Sequence, residues 1–141
     1  MRVDLRAVGG IAGVTLELLA VPLAATGAVA LYFGEPLVPF LGPAAGCLVL
    51  GSLLSRLGTG ELGIREAYLV VAGTWLVVGV VGAIPFLLAG GGVLTTPVNA
   101  LFESMSGITT TGATVIVDFD AHSRSIMLWR GVLQWMGGLG I

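Results

Sequence analysis

The sequence holds no lysine, one cysteine and one histidine, and only 10% of its 141 residues are charged. Each shortage excludes something. Without lysine, and at a net charge of −2, no basic patch can neutralise nucleic-acid phosphates. Cys47 alone builds neither a disulfide framework nor a cysteine-based zinc site. Soluble domains carry roughly 25% charged residues, and here the mean hydropathy is +1.04. A water-soluble domain of this size has too much surface to hide so many apolar side chains. An integral membrane protein remains, with lipid as its surroundings.

What is present is long apolar runs, divided by a few charges. Ile11 to Phe33 has 23 residues and one charge, Glu17. At 1.5 Å per residue it makes roughly 34 Å of helix, enough for a hydrocarbon core of about 30 Å. It exceeds the 7–15-residue apolar core of a secretory signal, so Ala28-Val29-Ala30 is not read as a cleavage site. Glu35-Pro36 ends this span. Leu37 to Ser55 is an uncharged second span, ended by Arg56. Ala67 to Phe102 is uncharged over 36 residues, too long for one crossing. Gly90-Gly91-Gly92 and Thr95-Thr96-Pro97 break it, so the third helix ends near Ala89. A fourth begins near Ser123 and is still running at Ile141. Arg2, Arg6, Arg56 and Arg65 on one side outnumber Arg124 and Arg130 on the other, which puts the N-terminus in the cytoplasm. Gly9/Gly13, Gly42/Gly46 and Gly79/Ala83 have the spacing of close helix contacts.

Thr95 to Thr114 does not fit a simple bundle. Thr96 is a good N-cap and Pro97 a good first helical residue. A helix from Pro97 to Ser106 is about 15 Å long, half a membrane, and Gly107 supplies a stop. The run Ile108-Thr109-Thr110-Thr111-Gly112-Ala113-Thr114 then favours extended backbone. Ser104 to Val117 carries no charge, so the segment can lie at membrane depth if it lines a water-filled cavity. A half-helix aiming its partially negative end at a strand of inward carbonyls is how hard oxygen ligands replace a cation's water. With no carboxylate in the threonine run, the pattern points to a monovalent cation rather than calcium or magnesium. A plain surface turn between two helices is the competing reading.

These residues resemble a known family. Val98-Asn99-Ala100-Leu101-Phe102-Glu103-Ser104-Met105-Ser106-Gly107-Ile108-Thr109-Thr110-Thr111-Gly112-Ala113-Thr114 looks like the first pore helix and filter of the Trk/Ktr/HKT potassium-transporter superfamily, closest to TrkH-type subunits. Trp129-Arg130 through Leu133-Gln134-Trp135 to Gly137-Gly138 resembles the start of the next helix, and Arg65-Glu66-Ala67 to Ile84-Pro85-Phe86 the preceding one. The resemblance implies an all-α membrane protein. Two N-terminal transmembrane helices (1–63) precede one helix–pore-helix–filter–helix (M-P-M) repeat (64–141), its last helix truncated. It implies potassium uptake across the plasma membrane, with backbone oxygens of Thr110, Thr111 and Gly112 on the ion and Thr109 and Ala113 flanking them. It also implies a homodimer and a cytosolic nucleotide-binding regulatory subunit. No cofactor and no enzymatic activity are expected, with K⁺ as the transported ion. The family has four such repeats, and this chain holds one. A non-conducting assembly protein or remnant is therefore the alternative.

Other residues have simpler expectations. Glu103 and Arg130 are expected to support the filter from behind, through a hydrogen bond or their own pairing. Asn99 and Gln134 read as packing hydrogen bonds, Trp75 and Trp135 as packing residues, and Tyr32 and Trp129 as an aromatic belt. Glu17 reads as an interface or protein-buried carboxylate. Asp118, Asp120 and His122 read as a solvated outer loop. Gly58-Thr59-Gly60-Glu61-Leu62-Gly63 spells a dinucleotide fingerprint but follows a membrane span, not a strand, and is discarded. A protease pairing of Ser104 or Ser106 with His122 is discarded as well, since that histidine sits in a loop beside two aspartates.

Overall fold

The computed structural model describes residues 5–58, 63–89 and 91–139. Arg2, Gly90, Ile141 and most of the discarded 58–63 fingerprint lie outside the described residues. Five α-helices follow one another: α1 Leu5–Tyr32, α2 Val38–Ser55, α3 Ile64–Ala89, α4 Pro97–Ile108 and α5 Arg124–Gly138, with a 3₁₀ turn over Gly92–Thr95. Among the described residues three helices, α1 to α3, are long and apolar enough to cross a membrane. Each is apolar around its whole circumference, and only 33–39% of its apolar window is buried, so most of each surface suits lipid. Pro22, Pro43 and Pro85 sit inside these helices, where neighbouring helices tolerate the missing amide. α1 begins six residues before the expected start, because Arg6 at a helix end costs little. α5 is described over 15 residues, about 22 Å, short of a crossing.

α1 and α2 form an antiparallel hairpin whose axes approach at glycines. A Cβ at Gly10 would overlap the Gly58 carbonyl oxygen, and one at Gly13 the Ser55 amide. Gly42 and Gly46 do not make the expected contact: nothing lies within 4 Å of either. The buried face of α2 is Pro39, Phe40, Pro43, Ala44, Cys47 and Gly51, and the glycine pair points away from it. Glu17 is half-buried at this hairpin and accepts a hydrogen bond from the Ser55 hydroxyl at 2.9 Å.

α4 packs against the C-terminal half of α3. Gly79 and Gly82 make the room: a Cβ at Gly79 would overlap the Met105 sulfur, and one at Gly82 would lie 2.5 Å from Ser104 Oγ. α5 closes over both. Trp129 is fully buried and donates its indole N–H to the Gly82 carbonyl at 2.9 Å. It is a core residue, not a belt residue. Trp135, expected to pack, is 66% exposed. α5 turns the face of Ile126, Trp129 and Leu133 inward and leaves Trp135 outside it.

The α1–α2 connection also reaches α5. Glu35 accepts the backbone amides of Arg124 and Ser125, each at 2.9 Å, and Arg124 lies 4.7 Å over the Phe33 ring. Burial alone would raise the Glu35 pKa, but hydrogen bonds from Ser125 and Arg124, with the Arg124 charge, bring it below the ordinary 4.5. A depressed pKa means the contact stabilises fully above pH 4.5 and fades as pH falls through the lower folded value. The gap in melting temperature between the chain and its Glu35→Gln variant is therefore expected to be constant above pH 4.5 and to close in acid. A gap that widens in acid would contradict this.

Candidate functional site

The end of α4 and the segment after it form the candidate site. The helix does not stop at Ser106 as expected; Gly107 is helical and α4 runs to Ile108. Gly107 serves close approach instead, since a Cβ there would lie 3.1 Å from Leu133 Cβ. The turn comes at Thr110, which takes φ +57°. The Thr111 amide donates to the Ser106 carbonyl at 3.0 Å and the Thr110 amide to the Gly107 carbonyl at 2.9 Å. This is a Schellman end, with threonine at the left-handed position usually given to glycine. A β-branched residue there costs about 1–2 kcal/mol. Gly112 follows at φ +75°. The segment 109–114 forms no regular strand, only irregular backbone exposed on one side.

One carboxylate holds this segment from behind. Glu103 is completely buried. Its Oε1 accepts the Thr114 hydroxyl and, at 2.6 Å, the Val115 amide. Its Oε2 accepts Arg130 Nε at 3.0 Å, an ion pair whose arginine is 18% exposed. Arg130 also donates through its terminal nitrogen to the Gly112 carbonyl at 3.2 Å. Glu103 thus both bonds the back of the segment and pairs with Arg130. Ser106 Oγ donates to the Ala113 carbonyl at 2.6 Å, and the Thr109 and Thr111 hydroxyls share a bond of 2.8 Å. Among the described residues nothing donates to the carbonyl oxygens of Thr110 or Thr111. Thr109 to Ala113 thus form one exposed stretch, with Arg130 bonded to Gly112 and Glu103 bonded just beyond it, to Thr114 and Val115.

Other expectations fare variously. Asn99 makes its packing bond, donating to the Val93 carbonyl at 2.7 Å. Gln134 makes none among the described residues; it is exposed, its amide nitrogen beside Gly112. Thr96 occupies the N-cap of α4, but its hydroxyl bonds the Val93 carbonyl rather than capping. Among the described residues Ser106 donates its proton to Ala113, the Ser104 hydroxyl is buried without a partner, and neither serine meets a base. Asp118 and Asp120 are exposed as expected, and Arg130 lies 5.9 Å from the centre of the Phe119 ring. The Glu35 contact with α5 escaped sequence reasoning. A carboxylate just past one helix and a serine N-cap at another were the available signals, but nothing in the order of residues joins them.

The likenesses to known proteins fall on the same elements. The family model of TrkH, a cation transport protein, matches residues 44–141. The Trk system potassium uptake protein TrkH of Escherichia coli strain K12 is 46% identical over 97 residues, covering 67% of this chain and 20% of that protein. The TrkH of Vibrio parahaemolyticus is 38% identical over 140 residues, covering 96% of this chain and 29% of that one. The crystal structure of the Vibrio potassium transporter TrkH superposes with a TM-score of 0.86 at 35% identity, over 99% of this chain and 30% of that one. The chain thus spans a fifth to three tenths of the length of these relatives. Matched over most of its length, from α2 through α5, it belongs to the TrkH family of cation transport proteins.

Proposed function

We propose that this chain supplies one of four filter strands in a potassium-uptake pore of the plasma membrane. In this reading α1 and α2 (within 1–63) stand beside an M-P-M repeat (64–141) in which α4 is the pore helix. The ion passes the carbonyls of Thr110 and Thr111 and that of Gly112, the last through the lone pair that Arg130 leaves free, with Thr109 and Ala113 at the edges of the strand. The supporting observation is a neutral, exposed segment whose Thr110 and Thr111 carbonyls have no donor, braced by the buried Glu103–Arg130 pair. The relatives named as potassium uptake proteins support the choice of ion. Selectivity follows from carbonyl geometry rather than net charge. Entry is driven by the inside-negative potential, about 2.3 kcal/mol per charge per 100 mV. The N-terminus faces the cytoplasm: Arg6, Arg56 and Arg65 lie at the end of the helices opposite Glu35 and Arg124. The homodimer and the cytosolic nucleotide-binding subunit belong to the same proposal.

Potassium-limited growth of uptake-deficient cells tests it. The chain is expressed alone and joined to the remaining part of the Vibrio transporter. The joined protein is expected to restore growth and the chain alone is not, because one strand cannot surround an ion. Gly112→Ser in the joined protein is expected to lower uptake about tenfold or more, since φ +75° disfavours a side chain by 1–2 kcal/mol. A joined protein that reaches the membrane and restores nothing would overturn the reading and favour a non-conducting assembly role.

A further inference from the structure

Glu35 lies before the matched segment 44–141, yet it grips the helix on which Arg130 stands. The geometry points to Glu35 as a positioning residue for the Thr110–Gly112 strand, acting through the register of α5 on Arg130. Its meaning for transport rests on the potassium-pore reading above.

A helix begins with amides that have no partner inside the helix. In α5 the first three are all satisfied from outside the ladder. Arg124 N donates to Glu35 Oε1 and Ser125 N to Glu35 Oε2, both at 2.9 Å, and Ile126 N donates to Ser123 Oγ at 3.4 Å. Two of the three therefore depend on a residue about 90 positions away. The carboxylate also sits at the positive end of the helix dipole. Phe33, two residues before Glu35, carries the Arg124 guanidinium on its ring. The α1–α2 connection thus holds the first turn of α5 by its amides and by its side chain.

Six residues on, about 9 Å along the axis, stands Arg130. Trp129 beside it is pinned to the Gly82 carbonyl by a single bond. That bond and the contacts of Leu133 and Gly137 with α4 hold the later turns of α5 and leave its first turn to be set from elsewhere. Glu35 fixes that first turn, and the two ends together define the axis. The Arg130 bond to Gly112, at 3.2 Å, is at the long end of the usual range, so a small tilt of α5 weakens it. The Glu103 bond at 3.0 Å has more margin. Loss of Glu35 is expected to act first on the Gly112 carbonyl.

Nuclear magnetic resonance on the isotope-labelled chain in lipid nanodiscs tests this without any transport. The signals are Arg130 Nε–H, the Gly112 carbonyl carbon, the Trp129 indole N–H and the Arg124 and Ser125 amides. Glu35→Gln keeps one acceptor and removes the charge. It is expected to shift the Arg130 and Gly112 signals and to speed exchange of the Arg130 Nε proton about tenfold, the equivalent of one lost helix cap. The Trp129 indole is expected to stay in place, which shows that α3 and α5 remain packed. Glu35→Asp is expected to move the signals back toward the parent. Shifted Arg124 and Ser125 amides with unmoved Arg130 and Gly112 signals would overturn the proposal, reducing Glu35 to a local cap. In the joined transporter, Glu35→Gln is expected to lower the preference for K⁺ over Na⁺ about threefold at unchanged membrane abundance, within the range of such couplings. An unchanged preference would also overturn it. Spectral coupling in a joined protein that moves no potassium would support the positioning role while counting against the pore reading.

Discussion

Glu103→Ala is expected to destabilise the chain by about 3–5 kcal/mol, the usual cost of removing one partner of a buried ion pair. Glu103 is fully buried and serves three donors: the Thr114 hydroxyl, the Val115 amide and Arg130 Nε. Its loss takes the acceptor from all three and leaves a cavity behind the segment, and against a typical total stability of 5–15 kcal/mol the expected cost is a large fraction. Glu103→Gln retains an acceptor for the segment and loses the charge, so about half the effect is expected. Arg130→Ala is expected to cost a comparable amount, because it leaves the fully buried Glu103 carboxylate without its counter-charge. Reversible unfolding in mixed micelles measures all three, and the double variant gives the coupling between the pair. Glu103→Ala within about 1 kcal/mol of the parent would show that the pair does not brace the segment.

Gly137→Ala is the second large expectation, about 3 kcal/mol or more. A Cβ at Gly137 would overlap the Ile108 carbonyl oxygen, which is backbone at the end of α4. Nothing there can rotate aside, so α5 must move as a body and take Arg130 with it. The other glycines provide a graded series. At Gly82 the obstacle is Ser104 Oγ, and at Gly79 the Met105 sulfur, both ends of side chains that can turn. At Gly131 nothing lies within 4 Å, so Gly131→Ala is expected to be neutral or stabilising by up to about 1 kcal/mol. The expected order of cost is Gly137, Gly82, Gly79, Gly131. A Gly131 variant worse than Gly137 would refute the packing of α5 on α4.

The main outlines of the fold were legible in the sequence because lipid imposes a length. An uncharged run such as 37–55 has one economical solution, and the helix Val38–Ser55 follows it within a residue. The half-helix was legible for a similar reason: Thr96-Pro97 starts it and the threonine run cannot continue it. What escaped was azimuth and distance in sequence. Whether Trp129 or Trp135 faces inward depends on the rotation of α5, which periodicity over 15 residues leaves open. Gly42 and Gly46 carry the spacing of a contact and face away from it. The left-handed residue was expected among the glycines, yet Thr110 precedes Gly112 in taking it. The local backbone bonds that the Ser106 and Gly107 carbonyls accept hold Thr110 there against its intrinsic preference. Glu35 and Arg124 meet across almost the whole chain, and no local rule joins them.

The Glu103–Arg130 pair sets an order of events during synthesis. Glu103 leaves the ribosome 27 residues before its partner. At 5–20 residues per second that is an interval of roughly one to five seconds. Thr114 and Val115 arrive within the first part of it, so the carboxylate first gathers its own following loop and only then receives a guanidinium. Any nascent chain arrested between Val115 and Arg130 carries an acidic group with no counter-charge. Such products are expected to be removed by membrane proteases faster than chains arrested just beyond Arg130.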